Sequence, residues 1–138
     1  MLFRKRPGMH HIFAMNQLLK FMEQLNRIEL RGRVGNVRFS QVGGGTVCHF
    51  SVATNTIYRN QENVATEETT WHSCTLWASR RCPDLSFIKV GVPIELNGRM
   101  RSKKFTGSDG VERYTYEVWV NDIKALPENE PLKAASNL

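Results

Sequence analysis

The stretch TTWHSCTLWASR, Thr69–Arg80, alternates as a β-strand does. From Trp71 onward one face reads Trp71, Ser73, Thr75, Trp77. The other reads His72, Cys74, Leu76, Ala78. The apolar face belongs to a core, so the two tryptophans stand on the side that otherwise carries hydroxyls. A tryptophan on an outward strand face packs under a loop, closes an interface between subunits, or offers its ring to a ligand. The pattern of this one strand leaves all three open.

The same period of two runs through most of the chain. In RIELRGRV, Ile28, Leu30, Gly32 and Val34 alternate with Arg27, Glu29, Arg31 and Arg33, which is a half-buried strand with a basic outer face. Gly43, Gly44 and Gly45 mark a turn. VCHFSVAT forms a second strand with Cys48, Phe50, Val52 and Thr54 on one side, and NTIYRNQENVATEE reads as a long polar loop. After the tryptophan strand, Pro83 and Gly91 frame one expected short helix. VPIELNGRMRS resumes alternation, Gly107 and the Asp109-Gly110 pair make a hairpin turn, and RYTYEVWVNDIKAL is the last strand.

Five short antiparallel strands hide their edges best by closing. This order of elements, with a short helix between strands three and four, is that of the all-β OB-fold, a five-stranded Greek-key barrel that binds oligonucleotides or oligosaccharides on one strand face. The reading divides the chain into an N-terminal extension (1–25), a barrel (26–126) and a short polar tail (127–138). The extension carries Arg4, Lys5, Arg6 and Lys20 with no acid before Glu23, and residues 15–25 have the pattern of a short amphipathic helix. Met9, Met15 and Met22 are alternative starts. A secretory signal would need a longer apolar core and a cleavage site, and no apolar run approaches the ~20 residues of a membrane span.

The formal net charge of +6 over 138 residues favours a polyanionic partner, nucleic acid before membrane. Cys48, Cys74 and Cys82 are an odd number without close pairing, so they read as reduced thiols of a cytoplasmic protein. Cys48, His49, His72 and Cys74 lack metal-ligand spacing, and alternation separates Cys48 from His49, so neither a metal nor a cofactor is expected. Asp84, Asp109, Glu112 and Asp122 show no paired-carboxylate spacing, and no enzyme activity is expected.

Aromatic rings are interleaved with cations elsewhere. Tyr58 precedes Arg59, Phe105 follows Lys103 and Lys104, and Arg99 and Arg101 line an outward strand face. Such a surface suits single-stranded nucleic acid. Cations follow the phosphates and rings stack on bases, each stack contributing roughly 1–3 kcal/mol without regard to sequence.

The segment Asn26–Leu126 resembles the bacterial-type single-stranded DNA-binding protein family. NRIELRGRVGNVRF is similar to the family's opening strand, FSVATN to its second-strand core and ETTWHSCTLW to its Thr-Glu-Trp-His strand. VGVPIELNGRMRSKKFTGSDGVERYTYEV is similar to its glycine-bearing hairpin signature. The resemblance implies that Trp71, Trp77, Tyr58 and Phe105 stack on bases, with Tyr58 and Trp77 replacing other rings of the family. It implies a homotetramer, with His72 near the subunit contact. Arg59, Arg99, Arg101, Lys103, Lys104, Arg33 and Arg31 are the phosphate candidates. The expected role is to coat and protect single-stranded DNA in replication, recombination and repair, in the cytoplasm at the nucleoid. The family's long tail with an acidic tip has no counterpart in LPENEPLKAASNL, so recruitment of repair enzymes by that route is not expected. Two alternatives stay open: a primosome-type or mobile-element accessory protein acting through protein partners, and an RNA-binding barrel.

Overall fold

The computed structural model describes residues 22–137. It contains β1 (Ile28–Val42), β2 (Gly45–Arg59), β3 (Ala65–Trp77), β4 (Pro93–Thr106), β5 (Glu112–Ala125) and β6 (Ala135–Ser136). The sheet order is β1-β4-β5-β3-β2-β6, and a further pairing of β1 with β2 closes the first five strands into a barrel. The expected all-β OB-type barrel is therefore the fold.

Closure depends on β1, which serves two neighbours in turn. Ile28–Arg33 pairs with Pro93–Gly98 of β4, and Arg33–Val42 pairs with Gly45–Ala53 of β2. An irregularity between Val34 and Val37 bends the strand as it changes partners. Gly32 sits at this crossing. A Cβ there would lie 2.1 Å from the Ala53 carbonyl oxygen, so only glycine lets the two backbones approach.

The alternating residues meet inside. Leu30, Val34, Cys48, Phe50, Val52, Cys74, Leu76, Ile94, Leu96 and Val118 form one buried cluster, with Leu85 and Ile88 closing it from the β3–β4 connection. Burial pushes the Cys48 thiol up to about 11, and burial together with the Glu117 charge pushes Cys74 up to about 12. Both therefore pack as small apolar groups at neutral pH.

Two expectations are corrected. The short helix between Pro83 and Gly91 does not form. Instead Ile88 N–H donates to the Leu85 carbonyl and Val92 N–H to the Lys89 carbonyl, which are separate turns. The Asp84 carboxylate takes the Ser86 N–H, and β1 claims the end of the segment through Gly91 N–H to the Val34 carbonyl and Val34 N–H to the Val92 carbonyl. Leu85 and Ile88 still reach the core because one turn puts both on the same side. The long polar loop is the second correction. Residues 55–59 continue β2 and 65–68 belong to β3, leaving only 60–64 as the tip of a hairpin. This arm outruns the barrel, so both its faces meet water and its sequence has no apolar period.

The expected helix at residues 15–25 falls largely on positions outside the described residues. Met22–Leu25 are exposed and without regular structure. Among the described residues no helix is long and apolar enough to cross a membrane. The tail is tied back rather than free: β6 pairs in parallel with Thr56–Ile57 of β2, and Asn137 N–H donates to the Ile57 carbonyl at 2.8 Å.

Ile88 is 1% exposed in a segment with no helix to hold it. Ile88→Ala is expected to lower stability by about 2–5 kcal/mol in urea unfolding. A loss too small to measure would show that the turns, not this side chain, hold the connection in place.

Candidate nucleic-acid interface

The strand registers line up one row of residues across the barrel's outer surface. Arg38 of β1 lies opposite His49 of β2, His49 opposite Thr75 of β3, Thr75 beside Trp119 of β5, and Trp119 opposite Arg99 of β4. Alternation carries Trp71, Ser73 and Trp77 onto the same face of β3, and Arg101, Lys103 and Phe105 onto the same face of β4. Trp71 is 61% exposed, Phe105 43% and Trp77 39%, so all three rings present area to solvent.

Trp71 is seated although exposed. A Cβ at Gly35 would lie 2.4 Å from its Cζ3, so the ring edge rests on β1 backbone at a place only glycine leaves open. The Ser51 hydroxyl, also close to Gly35, accepts the Asn36 N–H at 2.9 Å and fixes that stretch of β1. A Cβ at Gly45 would lie 3.7 Å from Trp77 Cζ3, over the β1–β2 turn. Trp77 therefore packs on its own subunit and shows part of its ring outward.

The centre of the face is a polar chain. The Thr75 hydroxyl donates to Glu117 Oε2 at 3.0 Å, and His49 Nδ1 lies 3.2 Å from the same hydroxyl. With the Thr75 proton committed to Glu117, His49 Nδ1 donates to the Thr75 oxygen. Trp119 Nε1–H donates to Glu117 Oε1 at 2.7 Å. Thr75 is 5% exposed and is the one buried residue on the otherwise outward side of β3. Burial raises the Glu117 pKa, but the bonds from Trp119 and Thr75, with the charges of Lys103 and His49, hold it below the ordinary glutamate value. The Arg101 guanidinium lies 4.0 Å from the Trp119 ring centroid and that of Arg99 5.6 Å, cation–π contacts worth about 0.5–1 kcal/mol each at an exposed site.

The phosphate candidates separate by their partners. Among the described residues Arg99, Arg101, Lys103, Arg33 and Arg59 form no ion pair with a carboxylate. Arg33 donates to the Gly91 carbonyl at 3.0 Å and Arg59 to that of Asn63 at 3.2 Å. Arg31 is bonded to Glu95 at 2.6 and 2.8 Å, and Lys104 to Glu112 at 3.1 Å. Lys104 also falls on the opposite face of the β4–β5 arm, opposite Tyr114. Tyr58 lies opposite Thr66, and alternation sets it on the other face of the β2–β3 arm from Trp71. Of the expected residues, Trp71, Trp77, Arg99, Arg101, Lys103 and Phe105 share one face, while Tyr58 and Lys104 take the reverse faces of their arms and Arg31 lines a groove with Glu95.

Arg38, His49, Thr75, Glu117 and Trp119 were not among the expected site residues. His72 accepts or donates a hydrogen bond with the Thr54 hydroxyl at 2.9 Å, and burial lowers its pKa. A groove of about 650 Å³ lined by Arg31, Glu95, Asp122 and Lys124 lies between β1, β4 and β5, away from the aromatic group. Among the described residues no cluster of three or more His, Cys, Asp or Glu side chains could hold a metal ion.

A barrel of this kind, with rings and unpaired cations spread over one strand face, is the class of structure that single-stranded nucleic acid recognition uses. Residues 25–126 match the Single-strand binding protein family, and the chain belongs to that family. It is 36% identical over 107 residues to the single-stranded DNA-binding protein of Neisseria meningitidis serogroup A, covering 74% of this chain and 60% of that protein. It is 29% identical over 105 residues to that of Xylella fastidiosa strain Temecula1, covering 74% and 63%. The chain thus spans about three fifths of the length of these relatives. A Plasmodium falciparum SSB solved in complex with ssDNA has the same fold, with a TM-score of 0.64 at 23% identity over 77% of this chain and 98% of that one.

Glu117 gives the face a dependence on pH. Its folded pKa lies below the ordinary value of 4.5, so its contribution to stability is complete above that value and is lost as pH falls through the folded pKa. Thermal melts between about pH 5 and pH 3 should show a smaller acid loss for Glu117→Gln than for the unaltered protein. Identical profiles would mean that the carboxylate gains nothing from Trp119 and Thr75.

Proposed function

We propose that this protein binds single-stranded DNA with little regard to sequence, and so coats and protects it during replication, recombination and repair. The observation that carries this reading is the face on which Trp71, Trp77 and Phe105 stand exposed among Arg99, Arg101 and Lys103, three cations with no carboxylate partner among the described residues. Exposed ion pairs are weak, but a cation already matched with a carboxylate has less to gain from a phosphate. Arg31 and Lys104 are therefore secondary, and Arg99, Arg101 and Lys103 lead. Trp71 supplies the best stacking platform because its ring is seated on Gly35 and still open. Tyr58 and Arg59 join where a bound strand turns round the tip of the β2–β3 arm. No step here is catalytic: capture is electrostatic and retention is by stacking.

The working unit in this reading is residues 26–126, with 1–25 and 127–138 appended. It assembles as a homotetramer with His72 near the subunit contact, and acts in the cytoplasm at the nucleoid. Membership of the Single-strand binding protein family supports both points.

Labelled oligo-dT should bind in an anisotropy titration and its affinity should fall with salt, while duplex of equal length binds far more weakly. Trp71→Ala should weaken oligo-dT binding by about 1–3 kcal/mol with the melting temperature nearly unchanged. Equal affinity for duplex would overturn the stacking mechanism. A Trp71→Ala protein that melts early yet binds normally when folded would make the ring structural. Sedimentation should give four times the 15.8 kDa chain mass, and a monomer would exclude the tetramer.

A further inference from the structure

We propose that Trp119 is a positioning residue for a phosphate site, holding the Arg101 and Arg99 guanidinium groups over its ring with their N–H edges turned to a phosphodiester, and that it does not itself stack on a base. The inference rests on the single-stranded DNA reading above and adds a site on β5 to it.

Arg101 lies directly opposite Glu117 in the β4–β5 register. A guanidinium beside a carboxylate ordinarily pairs with it, often through two bonds. Here each carboxylate oxygen already accepts one hydrogen bond, Oε1 from the Trp119 N–H at 2.7 Å and Oε2 from the Thr75 hydroxyl at 3.0 Å, and Arg101 forms no ion pair with it among the described residues. Arg101 sits on the indole instead, 4.0 Å from its centroid, and Arg99 reaches the same ring at 5.6 Å. The tryptophan therefore does two things at once. Its N–H turns the Glu117 carboxylate toward the indole edge, and its ring holds the cation.

A guanidinium held by its face keeps its N–H donors, which are arranged in a planar fork that matches a phosphate. A ring whose outward side is covered by guanidinium has no free face for a base. Trp119 differs in this from Trp71, which is open and has no cation over it among the described residues. The place in the sheet fits a phosphate as well. Trp119 lies between Thr75 of β3 and Arg99 of β4, so the site falls between the tryptophans of β3 and Phe105 of the β4–β5 arm. Backbone spanning bases stacked on the two sides crosses it.

The test is a double-mutant cycle on the full chain, read by oligo-dT anisotropy over a range of salt. Arg101→Ala should cost roughly tenfold in affinity and lower the salt slope by about 0.7, the value for one phosphate contact on a single strand. Trp119→Leu should lower affinity and slope at least as much, because it frees Arg99 as well, and the double variant should lose no more than Trp119→Leu alone. Trp119→Phe, which keeps a ring, should keep most of the affinity and slope. Losses that multiply in the double variant, or an affinity loss with an unchanged salt slope, would mean that Trp119 meets the DNA directly and would overturn the proposal.

A second measurement does not depend on how well the Trp119 variants fold. The chain has three tryptophans, so Trp71→Phe with Trp77→Phe leaves Trp119 as the sole emitter. Its fluorescence should stay unquenched when anisotropy reports oligo-dT bound, and strong quenching would overturn the proposal. If the unaltered protein fails to bind oligo-dT, the DNA reading has failed before any variant is made, and the present inference falls with it.

Discussion

The structure depends on one strand belonging to two partners. β1 pairs with β4 up to Arg33 and with β2 from Arg33 onward, and the barrel is closed only because both sets of hydrogen bonds are made. Around Val34 the strand is bonded on both sides, to β2 and to the Gly91–Val92 backbone. That crowding explains the glycine at position 32 and the irregularity two residues later. Without closure, β1 and β2 would be ordinary sheet edges and the buried cluster would have no wall on that side. Closure also adds Arg38 to the outer row, because only the β1–β2 pairing brings it beside His49.

Closure has a second effect. The barrel is shorter than its strands, so β2–β3 and β4–β5 project beyond it as two-faced arms. In the barrel, alternation sorts residues into core and surface. In the arms it sorts them into two surfaces, and a residue's role depends on which one it takes. Lys103 and Lys104 are neighbours in the chain, yet one shares a face with Phe105 and the other pairs with Glu112 on the reverse. Trp71 and Tyr58 are divided in the same manner.

The alternation of Ile28–Val34, Cys48–Thr54 and Trp71–Ala78 was enough to read the barrel, because each strand has one apolar side and the period is two. The arms were harder. NTIYRNQENVATEE has no apolar side to lose, so a strand exposed on both faces looks the same as a loop. The cues at Pro83 and Gly91 were true boundary signals, but they bounded turns: the segment's last backbone groups were needed by β1, a demand made sixty residues away. The exposed rings were legible from parity. Trp119 was legible too, by a longer route. The turn at Gly107–Val111 fixes Thr106 opposite Glu112, and counting back along the hairpin brings Arg99 opposite Trp119. What no count could supply was that Glu117 bonds to the indole and the threonine, not to the arginine across from it, because that choice is set by side-chain geometry.

The small strand at the end of the described chain bears on how copies of this protein tolerate one another. β1 leaves β2 at Ala53, so from Thr54 outward β2 has a bare hydrogen-bonding edge on that side. β6 lies along it at Thr56 and Ile57. Proteins that line up on a shared polymer are held at local concentrations far above their bulk value, and unblocked strand edges under those conditions invite strands of neighbouring copies to add on. A two-residue strand is enough to break the run of free donors and acceptors that such growth requires. The tail thereby covers this edge at Thr56 and Ile57 with backbone hydrogen bonds, whatever side chains it carries.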